Sequence, residues 1–363
     1  MQAILAVTLP FFALVLGGYL AAQRGVLPAS AIPGLNAFVL FFALPCMLFR
    51  FGQRTPVLEL LNPVVLAVYL LAALAIVSFT LRATLSRRVH LKDAAFGALV
   101  AAFPNTGFMG VPLLVALFGP AAAGPVICTV LADMIVTSSL CLGLAQAHDA
   151  SGQGWRVAAG RALRGALSNP LPWAIAAGAV AGATGLVLPG PVDTIVRMLG
   201  DAASPVALFT IGAVLWRANQ HARLAAASPL ASSAAAAASP RPSPPASESA
   251  PASSVSSSPM TTAAPARATP LALYLPVALI KLLLHPLVVW LLGLAAQRLG
   301  APLSSFQLMV LTLAAALPSA SNVSLLAERY GADNGRVARI ILASTVLAFG
   351  SFTGLTWVFE AAR

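Results

Sequence analysis

Between Met1 and Gln23 the chain carries no charged residue, and long uncharged apolar runs recur along its whole length. A helix of about 20 apolar residues matches the hydrocarbon thickness of a bilayer, so repeated runs of this kind commit a chain to folding in lipid. Composition agrees, with 59% of 363 residues hydrophobic and 9% charged. A soluble domain carries about a quarter charged residues, and this chain has too few to cover a surface in water. Disorder needs low hydrophobicity and high net charge. An outer-membrane barrel needs short segments alternating at period two, whereas these runs are long and continuous.

The length admits about ten helical spans. They are placed near 3–22, 33–50, 62–81, 93–117, 124–146, 170–187, 192–216, 271–296, 303–327 and 337–359. The first run lacks a basic leader and a cleavage site and is taken as a span, not a removable signal. Of 21 Lys and Arg residues, 15 fall in odd-numbered loops, such as Arg82, Arg87, Arg88 and Lys92 in the third. Four (Arg50, Arg54, Arg298 and Arg363) fall in even loops and termini, and Arg197 and Lys281 lie within spans. The positive-inside rule then puts odd loops in the cytoplasm and both termini outside. The net charge of +11 is read as arginine-rich cytoplasmic loops, with no nucleic-acid partner. Cys46, Cys128 and Cys141 all sit in apolar runs and suggest no disulfide framework.

The segment after the seventh span is a different material. From Ser228 to Pro270, 34 of 43 residues are Ala, Ser or Pro, with no aromatic. Such a segment buries too little apolar surface to offset its ordering entropy. The expected organisation is therefore 1–216, holding seven spans, a disordered cytoplasmic tether over 217–270, and 271–363 with the last three spans.

The two halves read as copies. Ala43-Leu44-Pro45-Cys46-Met47-Leu48-Phe49 parallels Ala203-Ser204-Pro205-Val206-Ala207-Leu208-Phe209 at an offset of 160. Beyond the tether, Phe103-Pro104-Asn105-Thr106 parallels Leu317-Pro318-Ser319-Ala320 at an offset of 214. Five spans per copy is an odd number, so the second copy enters the membrane from the opposite side. The expected fold is thus an all-α integral membrane protein of ten helices in two inverted five-helix repeats. Secondary transporters are built this way, with substrate near the midplane at broken helices.

Two spans carry such breaks. Span four contains Pro104, Gly107, Gly110 and Pro112 within nine residues, and proline removes a donor and clashes with the preceding turn. Asn105 and Thr106 sit at this break, where they can cap the following half-helix. In span nine Pro318 is followed by Ser319, Ser321 and Asn322. A half-helix N-terminus offers free N–H groups and partial positive charge to a carboxylate. Asn105, Thr106, Ser319, Ser321 and Asn322 are therefore the candidate substrate contacts, with Pro104, Gly107 and Pro318 shaping the breaks. The alternative is that these side chains only satisfy backbone groups freed by the proline.

Phe103-Pro104-Asn105-Thr106-Gly107-Phe108-Met109-Gly110-Val111-Pro112-Leu113-Leu114 closely resembles the fourth-helix crossover of the auxin efflux carrier family, which includes plant PIN carriers and bacterial organic-acid permeases. The resemblance extends to Asn36 through Phe49 and to Leu317-Pro318 and Ala327-Glu328-Arg329-Tyr330-Gly331. It covers the chain apart from the tether. It implies crossing broken helices four and nine, with a scaffold of spans one, two, six and seven. Beside that scaffold it implies a moving domain of spans three to five and eight to ten, and a homodimer. It also gives Asn105 the carboxylate-contacting role. Ser319, Ser321 and Asn322 replace a more apolar set of the plant members, so malate, malonate and similar acids are expected in place of auxin.

Ionisable residues inside spans are functional candidates by default. Asp133 in span five can carry a coupling proton, or pair permanently with Lys281 in span eight. Lys281 can equally attract an anionic substrate. His285 lies one turn beyond Lys281, and Asp201 and Arg197, four apart, are expected to pair. A sodium site would need a clearer cluster of oxygens. No cofactor and no metal are implied. An intramembrane protease using His285 and Ser324, or Asp133 and Asp201, lacks the flanking motifs, so no enzyme is expected. A non-transporting receptor or an exporter of auxin-like aromatic acids are the rivals to a carrier of small carboxylates in a bacterial inner membrane.

Overall fold

The computed structural model describes residues 2–56, 62–147, 160, 170–238 and 270–361. These form twelve helices: α1 (Gln2–Gln23), α2 (Ile32–Arg54), α3 (Pro63–Thr84), α4 (Leu91–Ala102), α5 (Thr106–Phe118), α6 (Pro120–Gln146), α7 (Pro170–Ala183), α8 (Gly190–Ala238), α9 (Leu271–Arg298), α10 (Ser305–Ala315), α11 (Asn322–Arg329) and α12 (Asn334–Ala361). Seven of them, α1, α2, α3, α6, α8, α9 and α12, contain stretches long and apolar enough to cross a membrane. Helices α5, α7 and α10 are apolar but shorter. Many large apolar side chains, among them Leu16, Phe41, Leu71, Leu283 and Val346, lie on the outside. A water-soluble surface would not carry so many.

The sequence reading starts the tether at residue 217, and here the structure differs: α8 runs unbroken to Ala238. Alanine is the strongest helix former, and the run Ala234 to Ala238 carries the helix forward until Pro240 and Pro242 approach. Residues 239–269, the remainder of the expected tether, lie outside the described residues.

Four long helices pack through glycine seams. In α8, Gly212 lies against the Val15 carbonyl of α1, while Gly18 of α1 lies against the Phe209 carbonyl of α8. The pair α2 and α7 repeats this: Gly52 lies against the Ile175 carbonyl and Gly178 against the Phe49 carbonyl. All four residues of one seam map onto the other by adding 160 to the α1 and α2 numbers. Small residues let helix backbones approach this closely, which is how helices associate in lipid where hydrophobic exclusion gives no drive.

Helices α4 and α10 are buried all round. Every residue from Ala94 to Ala102 and from Leu308 to Ala315 is withdrawn from the surface. A helix that is apolar on every face belongs at the centre. Each ends at a proline-marked break, after which a second short helix, α5 or α11, resumes.

The seams are testable. A methyl at Gly212 meets backbone, whereas one at Gly17 meets nothing within 4 Å. We expect Gly212→Ala to destabilise the protein by about 1–3 kcal/mol through overpacking, despite alanine's better helix propensity. Gly17→Ala should leave the melting temperature in detergent unchanged or slightly raised. Equal shifts in the two variants would contradict the close α1–α8 approach.

Candidate functional site

The two breaks meet. Phe103 at the end of α4 has φ −100° and ψ 94°, extended as a residue before proline must be. Pro104 then lies opposite Ser319 in an isolated antiparallel bridge. The Asn105 N–H donates to the Pro318 carbonyl at 2.8 Å, and the Ala320 N–H donates to the Phe103 carbonyl at 3.0 Å. In this type of antiparallel pairing the facing residues exchange no bonds themselves. Pro104, which has no N–H, therefore occupies a position where none is required.

Asn105 turns the chain into α5. Its φ of −78° and ψ of 53° are those of an inverse γ-turn, closed by the Thr106 N–H on the Pro104 carbonyl at 2.8 Å. The Asn105 carbonyl then accepts from both Met109 and Gly110 at 3.0 Å, opening α5 with a π-helical turn. A Cβ at position 110 would stand 2.7 Å from Leu317 Cδ1, so a side chain there would have to displace the tip of Leu317.

The capping expected of the polar side chains is not formed. Asn105 precedes α5 with no side-chain cap, and Ser321 precedes α11 likewise. The buried oxygens Asn105 Oδ1, Thr106 Oγ1, Ser319 Oγ and Asn322 Oδ1 have no hydrogen-bond partner among the described residues. A buried polar group left unpaired costs about 1–3 kcal/mol. These side chains therefore do not satisfy the backbone freed by the prolines, which the bridge does instead. The Ser319 N–H is separately held by Ser344 Oγ of α12 at 3.2 Å. Ser321 is buried beside them at the start of α11, and Gly107 is buried in the first turn of α5.

A second polar group lies next to the crossover. Lys281 Nζ donates to the Ala315 carbonyl at 2.6 Å, placing a cation on the C-terminal end of α10, where the helix dipole favours it. The same Nζ lies 3.2 Å from His285 Nδ1. Asp133 accepts from the Tyr69 hydroxyl at 2.7 Å and from Thr137 Oγ1 at 3.1 Å. Asp133, Lys281, His285 and Tyr69 are all fully buried. The rings of Tyr69 and His285 approach to 5.9 Å between centroids. Asp133 begins a π-helical turn in α6, and Lys281 lies in another in α9. Such single-turn π bulges gather at functional sites because they re-aim side chains.

One expected pair is corrected, and one pairing weighed as an alternative does not form. Asp133 and Lys281 form no ion pair among the described residues, because Tyr69 and Thr137 claim the carboxylate and the α10 carbonyl claims the amine. Asp201 pairs with Arg50 of α2 at 3.1 Å in place of Arg197, because the α8 face bearing Asp201 packs against α2. Ser324, weighed above as a nucleophile, donates to Asn334 Oδ1 at 2.7 Å. Sequence reasoning missed Tyr69, Thr137 and Ser344, which sit in apolar runs with no neighbouring motif. Among the described residues no group of three or more His, Cys, Asp or Glu side chains gathers as a metal site would require.

The two polar groups should separate in a stability measurement. Lys281→Met leaves the Ala315 carbonyl without its donor and should cost about 1–3 kcal/mol. Asn105→Ala removes an oxygen that bonds nothing among the described residues and should leave the melting temperature in detergent unchanged or raised. A large loss in Asn105→Ala would return that side chain to a structural role.

Comparison with known proteins agrees with this architecture. Residues 3–356 match the family described as Membrane transport protein. A protein of Rhizobium meliloti (strain 1021) named "Putative malonate transporter" is 27% identical over 366 residues, covering 99% of this chain and 97% of its own length. The "Uncharacterized transporter YfdV" of Escherichia coli (strain K12) is 23% identical over 97% of this chain and 95% of its own. An "Uncharacterized transporter" of Methanothermobacter thermautotrophicus (strain Delta H) is 28% identical over 56% of this chain and 65% of its own. With broken helices crossing at buried polar residues and a family match over nearly its full length, this chain belongs to the membrane transport protein family of auxin efflux carriers.

Proposed function

We propose that the protein is a secondary carrier of small carboxylates such as malonate or malate, working by alternating access across a bacterial inner membrane. The observation that carries this reading is the pair of buried, unpartnered hydroxyls at the crossover, Thr106 Oγ1 and Ser319 Oγ, which can donate to an anion beside the opening turn of α5. The first-turn N–H groups of a helix have no intrahelical acceptors and favour an anion. The Thr106 and Ser319 hydroxyls and the Asn105 amide Nδ2 can then donate to a carboxylate held there, with Ser321 and Asn322 approaching from the other half. The printed name of the Rhizobium relative supports malonate as the first acid to try.

Ten spans in two inverted repeats are the topology we assign. Its support is the pair of glycine seams related by 160 residues, together with the mutual bridge of Phe103–Asn105 and Pro318–Ala320. In this assignment α4 with α5 is span four and α10 with α11 is span nine. Both termini lie outside, as the arginine distribution requires. The helix pairs α1–α8 and α2–α7 form the scaffold, and the remaining helices carry the crossover from one side to the other.

Coupling is assigned to Asp133. A carboxyl with two hydroxyl donors and, among the described residues, no ion pair is suited to take up and release a proton as the surrounding helices move. Lys281 rests on the last carbonyl of α10, immediately before the break. Movement of the crossover therefore reaches this cluster directly.

The test is uptake of radiolabelled malonate and malate into proteoliposomes with an imposed inward proton gradient. Wild type should accumulate at least one acid above equilibrium, and Asp133→Asn should equilibrate it without accumulation. Accumulation undiminished in Asp133→Asn would remove Asp133 from coupling, and no flux of either acid would overturn the carboxylate assignment.

A further inference from the structure

A cavity of about 640 Å³ opens between the end of α2, the first half of α8, the end of α5 and the start of α6. All these segments reach the face that the arginine count assigns to the outside. Its apolar wall includes Phe51, Pro112 and Val115, the last two on the half-helix that begins at the crossover. Its polar wall holds Arg50 and Arg54, with Asp201 across from them on α8.

The two arginines are four apart on α2, so they project from one helix face. Both line the same cavity, which gives it two guanidinium groups one turn apart. Arg50 is well sheltered, with 18% of its side chain exposed, while its partner Asp201 is 69% exposed. The Asp201 carboxylate is thus mostly hydrated, and ion pairs of this kind are held weakly. Arg50 presents a planar fork that fits any carboxylate. A second carboxylate arriving through the cavity can therefore take over the fork while Asp201 returns to water.

On the opposite face a cavity of about 370 Å³, between the start of α2, the middle of α8 and the end of α11, carries Arg217 together with Glu328 among the described residues. One cation beside an acid does not match a dianion, whereas two guanidinium groups do.

We propose that Arg50 and Arg54 form an outer recruitment site for small dicarboxylates, with Asp201 as a resident carboxylate that the substrate displaces. The site stands between bulk water and the crossover and selects for two carboxylates over one. This rests on the carboxylate-carrier reading above and adds to it a second, one-sided binding step.

The test is uptake by cells expressing the full-length chain, with malonate as the dicarboxylate and propionate as the monocarboxylate. Removing a charge-assisted hydrogen bond to the substrate should raise the malonate KM about tenfold in Arg50→Gln, with Vmax little changed. Arg54→Gln should raise the malonate KM and leave that of propionate unchanged. Asp201→Asn should lower the malonate KM, because it frees Arg50. That sign separates recruitment from a structural clasp, since breaking a clasp from either side gives the same loss. A malonate KM raised in both Arg50→Gln and Asp201→Asn, or unchanged in all three variants, would overturn the site while leaving the carrier reading in place. Wild-type cells that take up neither acid would overturn both.

Discussion

The two hydrogen bonds that join the breaks, Asn105 to Pro318 and Ala320 to Phe103, are the constraint on which the rest depends. In lipid an unpaired backbone group costs several kcal/mol, so a helix can be interrupted only where protein satisfies the freed groups. Two interruptions that satisfy each other meet most of this demand, and Ser344 on the Ser319 N–H and Lys281 on the Ala315 carbonyl add to it. Buried α4 and α10 bring the two breaks to one place, and Pro104 sits where the pairing needs no donor. The local polar side chains are thereby released. Asn105, Thr106, Ser319 and Asn322 keep buried oxygens with no hydrogen-bond partner among the described residues, which leaves them free for the ligand proposed above.

The charged cluster extends the same logic outward. Lys281 caps the α10 helix at Ala315, two residues before the break begins to turn at Leu317 and Pro318. His285 lies beside the amine, Tyr69 lies tilted near His285 and donates to Asp133, and Thr137 completes the carboxylate's contacts. The chain of contacts from Asp133 to the crossover thus runs through side chains of α3, α6 and α9 to the end of α10. Any shift of α10 relative to α9 changes the setting of Lys281, and through His285 and Tyr69 that of Asp133.

Much of this was legible in the residues, and for identifiable reasons. Long uncharged runs dictate helices in lipid, and Pro104 with Gly107 and Pro318 mark breaks because proline and glycine act on backbone locally. The apolar helices fall close to the stretches read from hydropathy. What was not legible depends on partners distant in sequence. No local pattern announces that Tyr69 reaches Asp133 or that Lys281 prefers a helix end to a carboxylate. The Arg197–Asp201 expectation followed helical spacing and lost to Arg50 on a neighbouring helix. Composition marks 217–270 as a tether, and α8 continues through the first part of it, to Ala238, along an alanine-rich stretch. The 160-residue recurrence was visible in sequence only as faint similarity, yet Gly18 and Gly178, Gly52 and Gly212 occupy equivalent contacts.

In the proposed carrier the crossover holds the anion through the Asn105 amide Nδ2 and the Thr106 and Ser319 hydroxyls. Equilibrium dialysis of radiolabelled malonate against purified protein in detergent tests it without requiring flux, coupling or orientation. Saturable binding by wild type that is lost in Asn105→Ala, in protein whose melting temperature is unchanged, is the result this account predicts. Malonate bound equally by wild type and Asn105→Ala would contradict it and place the anion away from the crossed breaks.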